Sequence, residues 1–354
     1  MVAAHASADQ LTLLDWNESP IGPPELAVER VMEAARRIHR YPRGLMEEVT
    51  DLAAAHFGVA PQEVLLTAGV DEAVDIALSL AERGWGVSPG FDGYEDRVRA
   101  NGKIFQPIPL GPDWQPAGPP EPSLGQGDLV FLAQPGNPTG NLFPTSWVSE
   151  VGAAAEHLLI DETYQEFSSR PSVLGDGLAP GLLVYRSFSK AAGLAGIRLG
   201  CLIADRATIA RLAPFRRFMP IDAVSLSAVA GLLEEPTFLD RLATYVRRAR
   251  SELVEGLHGT GLFTEVRDTE ANFVLASPRA EVASALAGQL ARDQVLVKDC
   301  SVLGLPGWLR ISTGSQEDQA RLLTSLRSLT AASLTAIPQS GNRPAAMSQE
   351  GLLS

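Results

Sequence analysis

Between residues 64 and 204 the sequence alternates short runs of almost unbroken apolar residues with longer stretches of helical spacing, and this restricts the fold more than any other feature. The runs are VLLT (64–67), DLVFLA (128–133), HLLID (157–161), LLVYRSF (182–188) and LGCLIA (199–204). A strand that is wet on one face alternates apolar and polar residues, whereas one covered on both faces reads as continuous hydrophobics. Such strands separated by helices predict an α/β fold with a mainly parallel central sheet and helices on both faces. Ahead of them, ELAVERVMEAARRIHR (25–40) and EEVTDLAAAHFG (47–58) read as amphipathic helices, the second ended by Gly58.

A smaller α/β pattern follows the long helical stretch FLDRLATYVRRARSELVEGLHG (238–259). It consists of FTEVRDTEANFVLA (263–276), a helix near 280–291, QVLVKD (294–299) and WLRIS (308–312). At 354 residues, and roughly 150 per domain, the chain has room for two units. The expected division is an N-terminal arm and helix at 1–40 serving the small domain or a dimer contact, a large domain at 41–235 and a small C-terminal domain at 236–331. The tail at 332–354 lacks periodicity and carries Pro, Ser, Gln and Asn, so disorder is expected there.

Charge and composition exclude several function classes. A net charge of −13 disfavours nucleic acid as a partner, because binding to phosphate backbones runs on clustered cations. The two cysteines, Cys201 and Cys300, are far apart, and the five histidines show no zinc-ligand spacing. No apolar run approaches the roughly 18 residues of a membrane helix. The start MVAAHASADQ has neither the basic nor the apolar part of a leader, so a cytoplasmic location is expected. One count bears directly on chemistry: of 29 basic residues only Lys103, Lys190 and Lys298 are lysines. Arginine stays protonated and cannot act as an amine nucleophile, which leaves three candidates for that role.

Four segments carry candidate chemistry. In SFSKAAGLAGIRLG (187–200) a strand runs into a turn with Ser187, Ser189 and Lys190, and Arg198 follows, which together form an anion cradle beside an amine. A lysine whose pKa is lowered by burial or nearby cations can form a Schiff base with a carbonyl. HLLID ends in Asp161, followed by Glu162, Thr163 and Tyr164. A carboxylate at a strand's carboxyl end faces the crevice where α/β sheets bind ligands. AQPGNPTG (133–140) sets Asn137 in a rigid turn, and TAGVDEAV (67–74) places Gly69, Val70 and Asp71 at a helix start whose free N–H groups can receive a phosphate. No strand is followed by GxGxxG or GxxxxGK[ST], which sets a dinucleotide-binding reading aside.

In chain order, NESPIGPP (17–24), RYP (40–42), AGVDEA (68–73), PGFDGY (89–94), PGNPTG (135–140), DETY (161–164), SFSKAAGLAGIRLG (187–200) and LRIST (309–313) form a set. With it the chain resembles the fold type I pyridoxal-phosphate enzymes, aminotransferase class I and II, and most of all their histidinol-phosphate aminotransferase branch, from about residue 14 to residue 330. The resemblance implies pyridoxal 5′-phosphate as cofactor, an amino donor and a 2-oxo acid acceptor as substrates, and Lys190, Asp161 and Tyr164 as catalytic residues. Lys190 would bond the cofactor's aldehyde carbon and carry the proton at Cα, and Asp161 would pair with the ring nitrogen. Asn137 and Tyr164 would hydrogen-bond the ring oxygen, and Tyr94 would stack on the ring. Ser187, Ser189, Arg198 and the backbone of Gly69, Val70 and Asp71 would hold the phosphate. Arg310 would clamp the substrate carboxylate, with Asn137 and Lys298 also at the substrate. Tyr41 would reach the neighbouring active site of a homodimer.

The sequence departs from that pattern in two places. Lys298 stands where the branch commonly carries an arginine, and VKDCSVLGLPGWLRIST (297–313) is also similar to the threonine-phosphate decarboxylases, which keeps a lyase as the alternative. Only positions 141–160 separate Gly140 from Asp161, tight for a helix and a strand and suggestive of a diverged enzyme of specialised metabolism. A regulatory paralogue without turnover would not need the lysine, aspartate and arginine together.

Overall fold

The computed structural model describes residues 11–278 and 282–329, so the expected tail at 332–354 lies outside the described residues. Seven strands make the larger sheet: β2 (Val64–Thr67), β3 (Arg83–Ser88), β4 (Ile104–Pro109), β5 (Asp128–Ala133), β6 (His157–Asp161), β7 (Leu182–Ser187) and β8 (Gly200–Ile203). Their order is β2-β8-β7-β6-β5-β3-β4. All neighbouring pairs are parallel except those made by β8, which runs antiparallel to β2 and to β7.

The continuous apolar runs have the expected cause. Successive side chains of a strand point to opposite faces, and here each face has its own core. Leu65, Leu129, Phe131, Leu159, Leu183 and Tyr185 pack with α3 (Gly69–Ala77), α4 (Asp92–Ala100) and α6 (Arg206–Leu212). Val64, Leu66, Val184, Cys201 and Ile203 face the other way, against α2 (Leu45–Phe57), α7 (Ala223–Leu233) and α8 (Thr237–His258). Val130, Leu132, Leu158 and Ile160 pack with Trp147, Val148 and Val151 of α5 (Thr145–Ala154). The tight 141–160 segment thus holds a ten-residue helix and needs only Ala155 and Glu156 to reach β6. Helix α2 ends at Gly58 with φ 70°, the left-handed cap that glycine adopts at no steric cost.

The smaller sheet has the order β1-β11-β12-β10-β9, with β1 (Thr12–Leu14), β9 (Phe263–Arg267), β10 (Phe273–Pro278), β11 (Val295–Asp299) and β12 (Leu309–Ser312). Helices α9 (Ala283–Arg292) and α10 (Gln316–Ser328) and the end of α8 cover one face through Leu253, Leu257, Leu286, Leu290, Leu322 and Leu326. The first forty residues are divided. Strand β1 pairs parallel with β11 in the small sheet, whereas α1 (Glu25–Ala35) packs on α7 of the large unit. On the second face of the small sheet, Trp114 from the loop after β4 packs with Leu275, Cys300 and Leu305. The guanidinium of Arg267 lies 4.2 Å from the Trp114 ring centroid and 5.5 Å from that of Trp308.

Among the described residues no helix is long and apolar enough to cross a membrane, and no cluster of three or more His, Cys, Asp or Glu has the disposition of a metal site.

Candidate active site

A cavity of about 610 Å³ opens at the carboxyl ends of the parallel strands, where α/β sheets place their ligands. Ala133 ends β5, Asp161 ends β6 and Ser187 ends β7, and all three line it. Asn137, Tyr164, Ser189, Lys190, Arg198, Lys298 and Arg310 also line it, as does Val70 from the start of α3. Two of the chain's three lysines therefore meet in one cavity.

Lys190 Nζ donates to the backbone oxygen of Trp16 at 2.6 Å. Burial and, after it, the positive charge of Arg310 lower its pKa to about 8, opposed by Glu18 and helped least by Arg198. Asp161 is buried, and burial raises its pKa from the usual carboxylate range. Opposing that shift, the Thr163 backbone N–H (2.9 Å) and hydroxyl (2.6 Å) donate to Oδ1, and the Tyr94 hydroxyl donates to Oδ2 at 2.7 Å. On the next residue, Glu162 turns to the opposite face and accepts from Arg186 Nη1 at 2.9 Å, from Ser172 Oγ at 2.6 Å and from the Val173 N–H at 2.8 Å. Arg186 also pairs with Glu166 and lies over the Phe57 ring at 4.8 Å. This buried network anchors the turn that carries Asp161 through Tyr164.

Arg310 on β12 donates from Nη1 to Asn137 Oδ1 and from Nη2 to the Asp15 backbone oxygen, both at 2.6 Å, while its buried Nε has no partner. Lys298 stands directly opposite on β11. Residues opposite each other in an antiparallel pair project from the same face with Cβ atoms roughly 5 Å apart, so two cations stand side by side. Arg198 follows a 3₁₀ turn at Ala195–Ile197, has φ 54° and donates to Ser189 Oγ at 3.2 Å. The Ser187 hydroxyl accepts from the Ser189 N–H at 3.1 Å. Gly69, with φ 77°, begins α3 with no side-chain cap, and a Cβ there would come within 3.1 Å of Arg198 Nη2. The Asp71 side chain is exposed and turns away, which leaves its backbone N–H in the first turn.

One expected position differs. Tyr94 does not present a face to the cavity. It is buried one turn into α4 on the same inward stripe as Val98, stacked on Phe131 at 5.0 Å, and only its hydroxyl approaches the site. Phe91, three residues earlier and outside the helix, lines the cavity instead, its ring edge-on to that of Tyr94 at 5.1 Å. Tyr41 is 74% exposed and lines a separate surface hollow of about 330 Å³ with Ile38, Pro42, Met219 and Ile221.

The N-terminal segment contributes more than its motif suggested. Asn17, at φ 55°, donates from Nδ2 to the Tyr164 hydroxyl at 3.0 Å, receives the Ser312 hydroxyl on Oδ1 at 3.0 Å, and gives its N–H to Ser312 Oγ at 2.8 Å. Trp16 beside it leaves its indole 60% exposed at the cavity wall. The signal in the sequence was the asparagine of DWNES, a residue type that accepts a left-handed backbone, beside a tryptophan.

Among solved structures this fold recurs in aminotransferases, and the class it defines is the pyridoxal-phosphate-dependent enzymes of fold type I. The sequence profile described as aminotransferase class I and II matches residues 9–326, and the chain belongs to that family. It is 32% identical to a histidinol-phosphate aminotransferase of Haloarcula marismortui over 333 residues, 90% of this chain and 89% of that one. A crystal structure of a putative aminotransferase from Burkholderia pseudomallei superposes with a TM-score of 0.81 at 32% identity, covering 90% of this chain and 98% of that one. An L-threonine-O-3-phosphate decarboxylase from Porphyromonas gingivalis shares the fold, with a TM-score of 0.78 at 21% identity over 89% of this chain and 98% of that one.

The protein is thus a pyridoxal-phosphate-dependent aminotransferase. The donor set suits three of the cofactor's functional groups. An amine of lowered pKa can meet an aldehyde, and a buried carboxylate can meet a ring nitrogen. The gap before Arg198, which any side chain at position 69 would fill, together with an uncapped helix start, suits a phosphate.

Proposed function

We propose that this enzyme moves an amino group between an anionic amine, either an amino acid or an amino-alcohol phosphate of the histidinol-phosphate kind, and a 2-oxo acid. The observation that carries the substrate reading is the pair of cations on one face, Lys298 and Arg310, neither of which forms a salt bridge among the described residues, the Asp15 carboxylate acting on both only at longer range. Their mutual repulsion is relieved by an anion, and the two half-reactions bring two kinds: the acceptor's carboxylate, which suits the planar fork of Arg310, and a donor's phosphate, for which Lys298 is a point charge.

When bound, pyridoxal phosphate supplies a protonated heteroaromatic ring that takes up the electron pair left by a broken Cα bond. Asp161 would keep the ring nitrogen protonated, and Asn137 and Tyr164 would hydrogen-bond the ring oxygen. Ser187, Ser189, Arg198 and the N–H groups of Gly69, Val70 and Asp71 would hold the phosphate. Lys190 would hold the aldehyde carbon and carry the proton at the substrate's Cα. Arg310 would fix the substrate carboxylate and with it which Cα bond is presented for cleavage. Presenting Cα–H would give transamination, and presenting the carboxylate would give decarboxylation.

A donor screen on purified enzyme tests the reading, with histidinol phosphate, phosphothreonine, aromatic amino acids and arginine, followed by product mass. Amino transfer that requires a 2-oxo acid supports it, and release of carbon dioxide without an acceptor overturns it. Arg310→Lys is expected to raise KM for carboxylate substrates by about 10–100-fold, the loss of one charge-assisted bidentate contact. Steady-state kinetics that show an unchanged KM would remove Arg310 from that role. Cofactor loading has a pH signature as well. The Lys190 amine is neutral and nucleophilic above its pKa of about 8, so the rate of absorbance change on adding cofactor should rise with pH and level off above that value. A midpoint near the ordinary lysine value of about 10.4 would contradict the assignment.

The active unit we propose is a two-fold dimer in the cytoplasm, in which Tyr41 reaches the partner's phosphate site. Ile38, Tyr41 and Met219 line one surface hollow and leave apolar surface exposed there, which suits a contact with a second copy.

A further inference from the structure

We propose that Tyr94 is a positioning residue that holds the charge on Asp161, and through Asp161 the proton on the cofactor's ring nitrogen. The inference rests on the reading above, that Asp161 pairs with that nitrogen. Three features of the chain support it. Asp161 and Leu159 project from the same face of β6, the face covered by α4, and Tyr94 is the α4 residue that meets the carboxylate there, at 2.7 Å from Oδ2. The Tyr94 ring is fixed by Phe131 at 5.0 Å, nearly parallel at 14°, and by Phe91 edge-on at 5.1 Å, so the hydroxyl cannot swing away. The other oxygen, Oδ1, already takes the N–H and hydroxyl of Thr163.

A buried carboxylate facing a pyridine nitrogen has two states for one proton: a neutral acid beside a neutral ring, or a carboxylate beside a cationic ring. Burial alone favours the neutral pair. Each donor to the carboxylate favours the charged pair, and hydrogen bonds to charged groups are the stronger kind. Thr163 is local to the turn and accompanies Asp161 wherever the backbone goes. Tyr94 comes from another element, so it also fixes where the carboxylate points. Without its hydroxyl the proton moves toward Asp161, and the ring becomes a weaker electron sink although nothing that touches the cofactor has changed.

The test uses full-length enzyme loaded with pyridoxal phosphate carrying ¹⁵N in the ring, and reads the ring-nitrogen chemical shift and the kinetics of Tyr94→Phe and Asp161→Asn. Tyr94→Phe keeps the stacked ring and removes one oxygen atom. Asp161→Asn is expected to take the nitrogen signal to the neutral-pyridine position, and Tyr94→Phe to move it part of the way. In Tyr94→Phe kcat should fall about 10–100-fold with KM for the donor nearly unchanged. If Asp161→Asn moves the signal and Tyr94→Phe does not, the role given to Tyr94 is wrong while the pairing stands, even if kcat drops. If neither variant moves it, the pairing itself is wrong and the inference goes with it.

Discussion

Lys190→Ala is expected to abolish the visible absorbance that the protein acquires with pyridoxal phosphate and to lower turnover by about 10⁴-fold or more, since it would remove both the proposed nucleophile and the proposed proton carrier. The expectation follows from where the chain keeps its amines. Lys103 donates to the backbone oxygen of Ala81, away from the cavity, and Lys298 stands on β11 beside Arg310. Neither belongs to the strand end that carries Ser187, Ser189 and Asp161's neighbour Tyr185. Borohydride reduction of loaded wild-type enzyme followed by peptide mapping should mark Lys190 alone. A label on Lys103 or Lys298 would defeat the mechanism, whatever the activity of the variant.

Asp161→Ala should leave cofactor binding measurable, because Lys190, Arg198 and the serines remain, yet reduce turnover by about 10³-fold, equivalent to about 4 kcal/mol of transition-state stabilisation. On the proposed reading the carboxylate would act on electron demand and not on attachment. It is also expensive to keep charged: burial raises its pKa, and only the hydrogen bonds from Thr163 and Tyr94 oppose this. Titration of the loaded variant's absorbance with cofactor would show retained affinity beside lost rate. Wild-type turnover in this variant would remove the acid from the mechanism.

Residues that sit where the backbone alone dictates were legible in the sequence. The β2, β5 and β6 runs coincide with the strands, because burial on both faces leaves a continuous apolar signature, and Asp161, Ser187 and Lys190 follow from being next to strand ends. Strand β4 was missed because IFQPIP carries two prolines, which sheets confine to edges, and β4 is the edge. Strand β1 was missed because three residues carry no period, and its place beside β11 depends on a partner some 280 residues away in the chain. The Tyr94 and Phe91 exchange is a failure of a different kind. Both lie in PGFDGY, and only the start of α4 at Asp92 decides which faces the cavity and which lies beneath it. The Arg310 contact with Asn137 joins β12 of the small sheet to the turn after β5 of the large one, and no local pattern announces it.

Lys190, Arg198, Lys298 and Arg310 gather in one hollow of a molecule whose net charge is −13. Most of the exterior therefore turns anionic metabolites away, while the mouth of this one crevice draws them in. Discrimination begins during approach, before any contact is made, and should fade as added salt shortens the reach of the field.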